Sequence, residues 1–119
     1  ALEDANLTKE DIELCIPHQA NARILQATAR RCDLPLEKVF INLDKYGNTS
    51  AASIPVALTE ALEQNKIKQN SKILFLAFGA GLTSAAAIID WGSRIQSIKK
   101  SRATLPACSK TGLELINQA

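Results

Sequence analysis

The sequence predicts an α/β fold, a mixed sheet in the order β-α-β-α-β-β with helices packed on it. Three observations carry this. Ile12, Leu14 and Ile16 alternate with Glu13 and Cys15, which is the period of a strand. Residues 19–32 and the stretch from Ile54 to Leu62 repeat their apolar side chains at helical spacing. Residues 73–78 are apolar at every position, as a strand covered on both faces in the middle of a sheet must be.

Taken in order, Thr8-Lys9-Glu10-Asp11 has the spacing of a capping box and is expected to open one helical turn. The first strand follows, and Pro17 ends it because it has no N–H to give a ladder. In the first helix Ala22, Leu25, Ala29 and Cys32 form one stripe, with Ile24 and Thr28 beside it. Arg23, Arg30 and Arg31 lie on the other side, and Asp33-Leu34-Pro35 stops the helix. Residues 39–43 are a short strand candidate. The turn Asp44-Lys45-Tyr46-Gly47-Asn48 follows, with Gly47 suited to a positive φ. A second helix begins between Ser50 and Ser53, and Pro55 is tolerable in its first turn, where N–H groups lack partners. Asn65 and Asn70 bracket a polar connection to the apolar strand. Gly79-Ala80-Gly81 then turns the chain, and residues 83–91 return as a strand of small residues followed by Ile88 and Ile89.

A chain of 119 residues is one small domain, and 46% apolar with 22% charged residues excludes a disordered composition. Residues 1–92 form the domain, with nine Lys/Arg against eleven Asp/Glu, a net −2. Residues 93–119 carry five against one, a net +4, and read as a basic, weakly ordered tail with a short helix at residues 105–116. The chain contains no Met, so it is expected to be a processed product or a piece of something longer. Glu3 and Asp4 would interrupt the core of a secretion signal, and no apolar run reaches the ~18 residues of a membrane span. Cys15, Cys32 and Cys108 have no metal-ligand spacing and read as reduced thiols of a cytoplasmic protein. One Trp and one Tyr give no stacking platform for nucleic acid. No stretch has the form of a phosphate loop, and no metal site is expected.

The chemistry lies in Pro17-His18-Gln19-Ala20-Asn21, followed about thirty residues later by Gly47-Asn48-Thr49-Ser50-Ala51-Ala52-Ser53. Each run places a donor-bearing side chain, His18 and Asn48, where a strand or loop gives way to a helix. Alone, each reads as an ordinary loop histidine or turn asparagine. Together they can grip one carbonyl oxygen, which is what stabilising an enolate demands.

These two runs and the turn Ala77-Phe78-Gly79-Ala80-Gly81 resemble the C-terminal part of the β-ketoacyl-acyl-carrier-protein synthase III family, over residues 7–91. The resemblance implies a partial thiolase-like half and a place in fatty acid biosynthesis. In that family a Cys on the N-terminal half takes an acyl group from coenzyme A. Malonyl-acyl carrier protein then loses carbon dioxide, and its enolate attacks the acyl-enzyme. The resemblance implies His18 and Asn48 as the pair that holds the enolate oxygen, each donor worth about 3–4 kcal/mol in a water-poor site. It implies the backbone N–H of Ala80, where the family usually carries Gly, as part of the oxyanion hole of the acylated Cys. It implies Asn21, Ile24 and Phe78 as substrate-binding residues, Phe78 in the acyl or pantetheine channel and Asn21 toward coenzyme A or the pantetheine arm. Gln19, Ala20, Asn21, Ala22 and Arg23, with Arg30 and Arg31, become the contact for acyl carrier protein, whose acidity suits the arginines. No permanent cofactor is implied; the coenzyme A thioester and the phosphopantetheine of acyl carrier protein are substrates.

The family's nucleophilic Cys belongs to the other half. Cys15 and Cys32 read as structural, and Cys108 has no base beside it in sequence. The resemblance therefore implies a partner, either the N-terminal half of the synthase or a second copy of this chain, and no activity for the chain alone. Without that partner a central strand would be partly unpaired and one sheet face uncovered. The basic tail extends past the usual end of the family, as a linker, read-through or a cover for the exposed edge. The alternative reading is a non-catalytic truncated module that self-associates and still binds acyl carrier protein.

Overall fold

The computed structural model describes residues 1–96 and residue 104. A mixed sheet holds β1 (Leu14–Pro17), β2 (Lys72–Gly79) and β3 (Thr83–Asp90) in the order β1-β2-β3. Strand β1 runs parallel to β2, with Leu14 opposite Ile73 and Pro17 opposite Leu76. Strand β3 runs antiparallel to β2, from Gly79 opposite Thr83 to Lys72 opposite Asp90. Helices α1 (Ala22–Arg31), α2 (Leu43–Tyr46) and α3 (Ser53–Glu63) complete the order.

The pleat explains why β2 is apolar at successive positions. Ile73 and Phe75, beside Leu14 and Ile16 of β1, pack on Ala57 and Ala61 of α3. Leu74 and Leu76, beside Cys15, pack on Ala29 of α1 and on Leu34 and Val39. Each face of the central strand thus carries a helix, and the core divides into two clusters. The expected turn at Thr8 is present: the Thr8 N–H and hydroxyl reach Asp11 Oδ2 at 2.8 and 2.9 Å. Asn21 caps α1 by accepting the Ile24 N–H at 2.9 Å, and Arg30 and Arg31 sit in its last turn, where cations suit the helix dipole. Pro55 lies in the first turn of α3, as its missing N–H requires.

The fold class stands, and one detail differs from expectation. Residues 39–43 make a single bridge, Val39 to Cys15, instead of a strand. Phe40 N–H still reaches Cys15 C=O at 2.8 Å, but the next ladder donor, Asn42 N–H, is taken by the Gln19 side chain at 3.1 Å, and the chain turns into α2. The central strand is paired along its whole length by β3 and only over residues 73–76 by β1, so one of its sides is partly unpaired, as expected. The bare element is β3, where only Ile88 is even half-buried. Among the described residues no helix is long and apolar enough to cross a membrane. The tail beyond residue 96, with its expected helix and Cys108, lies outside the described residues.

Ile73 is fully buried, whereas Ile89, its partner across the ladder, is 43% exposed. Ile73→Ala is expected to cost roughly 3 kcal/mol and Ile89→Ala under about 1 kcal/mol, read from urea unfolding midpoints.

Candidate active site

His18 is the first residue beyond β1, and its N–H extends the ladder by one bond to Leu76 C=O at 2.7 Å. The imidazole is half-buried. Its Nδ1 lies 2.6 Å from Ser53 Oγ, at the start of α3, and the Gln19 N–H donates to the same oxygen at 3.3 Å. With that oxygen already accepting, its hydroxyl proton is best used on Nδ1. This assignment leaves Nε2 carrying the ring proton as a donor.

Asn48 is placed by α2 and the glycine behind it. Gly47 ends the helix at φ 64, ψ −159, a conformation that L side chains rarely adopt, and its N–H closes on Leu43 C=O at 2.8 Å. The Asn48 Oδ1 then accepts the Ser50 N–H at 2.9 Å, so the group left uncommitted is the carboxamide NH2. The β2–β3 turn brings in Phe78 and Ala80. Positive φ falls at Gly81 (75°) and Leu82 (56°), not at Ala80, so a side chain at Ala80 meets no backbone penalty.

His18, Asn48, Phe78, Ala80 and Ser53 line one open cleft of about 390 Å³. Two N–H donors, each with its other polar atom engaged elsewhere, therefore share a cavity with a glycine-flanked turn. Such an arrangement can receive an oxyanion. A hydrolytic Ser–His pair fits less well, because Ser53 is only 2% exposed and its hydroxyl is spent between the ring and the Gln19 N–H.

The other expected residues lie elsewhere. Asn21 and Ile24 do not line this cleft; Asn21 is an exposed cap, and Ile24 is 39% exposed on α1. Ala22, Arg23, Arg30 and Arg31 are exposed on the same helix, and Ala20 is half-buried. Gln19 requires a correction. Its side chain is buried, 1% exposed, so it offers no surface to a partner. Nε2 donates to Pro17 C=O at 2.8 Å and Phe40 C=O at 3.2 Å, while Oε1 accepts the Asn42 N–H. Asn42 passes the connection on, donating to Glu60 Oε2 at 2.8 Å. Glu60 also pairs with Lys45, and Lys45 followed by Asn42 holds its carboxyl below the usual range. Sequence reading missed Ser53 and this network; a serine at a helix start carries only the signal of a cap. Cys15 is buried in β1, and burial, with Cys32 close by, pushes its thiol up to about 12, far from a nucleophile's range.

Residues 2–91 match the family described as 3-oxoacyl-[acyl-carrier-protein (ACP)] synthase III C terminal. The chain is similar to β-ketoacyl-[acyl-carrier-protein] synthase III 2 of Vibrio cholerae, 49% identical over 118 residues, which are 99% of this chain and 33% of that relative. It is similar to β-ketoacyl-[acyl-carrier-protein] synthase III of Roseiflexus sp., 56% identical over 91 residues, 76% of this chain and 28% of that relative. Among solved structures it resembles β-ketoacyl-[acyl carrier protein] synthase III from Thermus thermophilus with a TM-score of 0.74 and 54% identity, over 78% of this chain and 29% of that one. The chain spans about a third of the length of the curated relatives it matches. The family match stops at residue 91 and the Roseiflexus match covers 91 residues, whereas the Vibrio match covers 99% of this chain and so runs into the basic tail.

The chain has a single His, so its ring nitrogens give unambiguous 15N signals. In the neutral ring the Nε2–H tautomer is expected to dominate, and Ser53→Ala to raise the share of the Nδ1–H form. A dominant Nδ1–H form in the unsubstituted chain would reverse the role given to Ser53.

Proposed function

The chain belongs to the 3-oxoacyl-[acyl-carrier-protein] synthase III C-terminal family, and on that footing we propose that its cleft stabilises the enolate formed when malonyl-acyl carrier protein loses carbon dioxide. The carboxylate carbon departs as carbon dioxide, and the bonding pair moves through the α-carbon onto the thioester oxygen. His18 Nε2–H and the Asn48 carboxamide meet that negative charge. The α-carbon then attacks an acyl thioester on a Cys supplied by the remainder of the enzyme, forming the new carbon–carbon bond. The oxyanion of that adduct takes the Ala80 N–H, and its collapse expels the Cys thiolate.

The observation that supports this most is the convergence of His18 and Asn48 on one cleft, with Ser53 and the Ser50 N–H occupying the atoms that could not donate. A neutral ring donor suits the step, since it binds the developing charge without first surrendering a proton. The substrates of this reading are an acyl-coenzyme A and malonyl-acyl carrier protein, in the cytoplasm. Exposed Arg23, Arg30 and Arg31 on α1 form the docking face for the acidic carrier protein. The bare β3 edge favours assembly with the remainder of a synthase, and would equally serve self-association in a non-catalytic module.

The isolated chain is expected to show no condensation. In a complete synthase carrying this segment as its C-terminal third, His18→Ala or Asn48→Ala is expected to slow malonyl decarboxylation by about one hundred- to one thousand-fold, read as released carbon dioxide. Acylation of the Cys should persist. Arg23→Glu with Arg30→Glu is expected to weaken carrier-protein binding at least ~tenfold in a low-salt titration. An unchanged affinity would remove α1 as the docking face.

A further inference from the structure

Both donors of the cleft are referenced to one helix. At the first residue of α3, Ser53 holds the His18 ring. Seven residues on, about 10 Å along the axis and on the same side, Glu60 holds the Asn42 side chain. Asn42 in turn starts the turn that delivers Asn48. Its C=O accepts the Lys45 and Tyr46 N–H groups at 3.1 and 3.3 Å, and α2 then closes on Gly47. Gln19, adjacent to His18, grips the same Asn42 through its backbone N–H. A flipped Gln19 amide would set its oxygen against two carbonyls, so only one orientation satisfies the site.

Glu60 is 7% exposed and also accepts Gln64 Nε2 at 3.0 Å. Packing alone does not favour a carboxylate there. Its ion-pair partner Lys45 is half exposed, and such a pair contributes little to stability. What an apolar residue cannot do is fix the direction and reach of the Asn42 amide. A shared oxyanion needs such control, because donors displaced by a fraction of an ångström lose most of their effect.

We infer that Glu60 is a positioning residue, which acts through Asn42 to set where Asn48 stands relative to His18, and so the fit of the two N–H donors to one oxygen. The inference rests on the enolate-holding role proposed for that pair.

A double-mutant cycle tests it in a complete synthase carrying this segment, with Glu60→Gln, Asn48→Ala and the two combined. Decarboxylation of malonyl-acyl carrier protein and acyl transfer from an acyl-coenzyme A are measured separately. Glu60→Gln is expected to lower the kcat of decarboxylation about tenfold, with its KM and the acyl transfer rate within about twofold. On the Asn48→Ala background it should cost nothing further. Equal losses in both half-reactions, or an undiminished loss without the Asn48 amide, would assign Glu60 to general stability and overturn the inference. If Asn48→Ala alone leaves decarboxylation intact, the enolate-holding role fails and the inference fails with it. Should Glu60→Gln not fold, the same cycle with Asn42→Ala, which spares the Lys45 and Gln64 contacts of Glu60, is judged by the same outcomes.

Discussion

The buried carboxamide of Gln19 is the joint on which the site depends. It sits at the end of β1, where the chain must leave the sheet without abandoning its backbone groups. Two carbonyls and one N–H that a neighbouring strand would otherwise satisfy are satisfied by this side chain. Leaving any of them unpaired in the dry interior would cost about 1–3 kcal/mol. Because Gln19 closes the ladder, residues 40–42 are free to bend into α2, and α2 delivers Asn48 to the cleft. The sheet's termination and the placement of a donor are thus one event.

The main elements were legible because hydrophobic period is a direct record of which side of a helix or strand is covered. Ala57 and Ala61 announce a helix pressed against a sheet, and the uninterrupted apolar run of β2 announces a strand with helices on both faces. Residues 39–43 were misread as a strand because their pairing ends on a side chain, and local composition does not record a partner twenty residues away. The same blindness affected the site. His18 and Asn48 stand out as a pair, each bearing a donor where a strand or loop gives way to a helix, and Phe78 and Ala80 follow from the resemblance of their turn to the family's glycine-rich loop. Gln19 is placed at the carrier-protein contact by that resemblance, and its buried side chain answers to carbonyls that the sequence does not show beside it. Ser53 and Glu60 work only through the atoms they face, and nothing in their sequence neighbourhood names those atoms.

The described residues contribute donors and a frame, and the nucleophile of the proposed reaction is missing from the cleft. Cys15 is in the sheet on the side facing α1, with its thiol held protonated by burial, and Cys32 packs in the same cluster. Chemistry that needs a thiolate must therefore draw it from outside these residues. The division is physically sensible. Hydrogen-bond donors gain from rigidity, and each here is braced by a second polar contact.

In the β2–β3 turn the Ala80 C=O accepts the Thr83 hydroxyl at 3.2 Å, while the tip itself stays bare. Leu82 holds a left-handed backbone at φ 56 and leaves its whole side chain in water. A leucine so placed is frustrated twice, by its torsion and by its solvation, and the second eases under an apolar surface. An apolar cover over this tip would take the leucine out of water and leave its torsion as it is, so the turn carries its strain whether covered or bare.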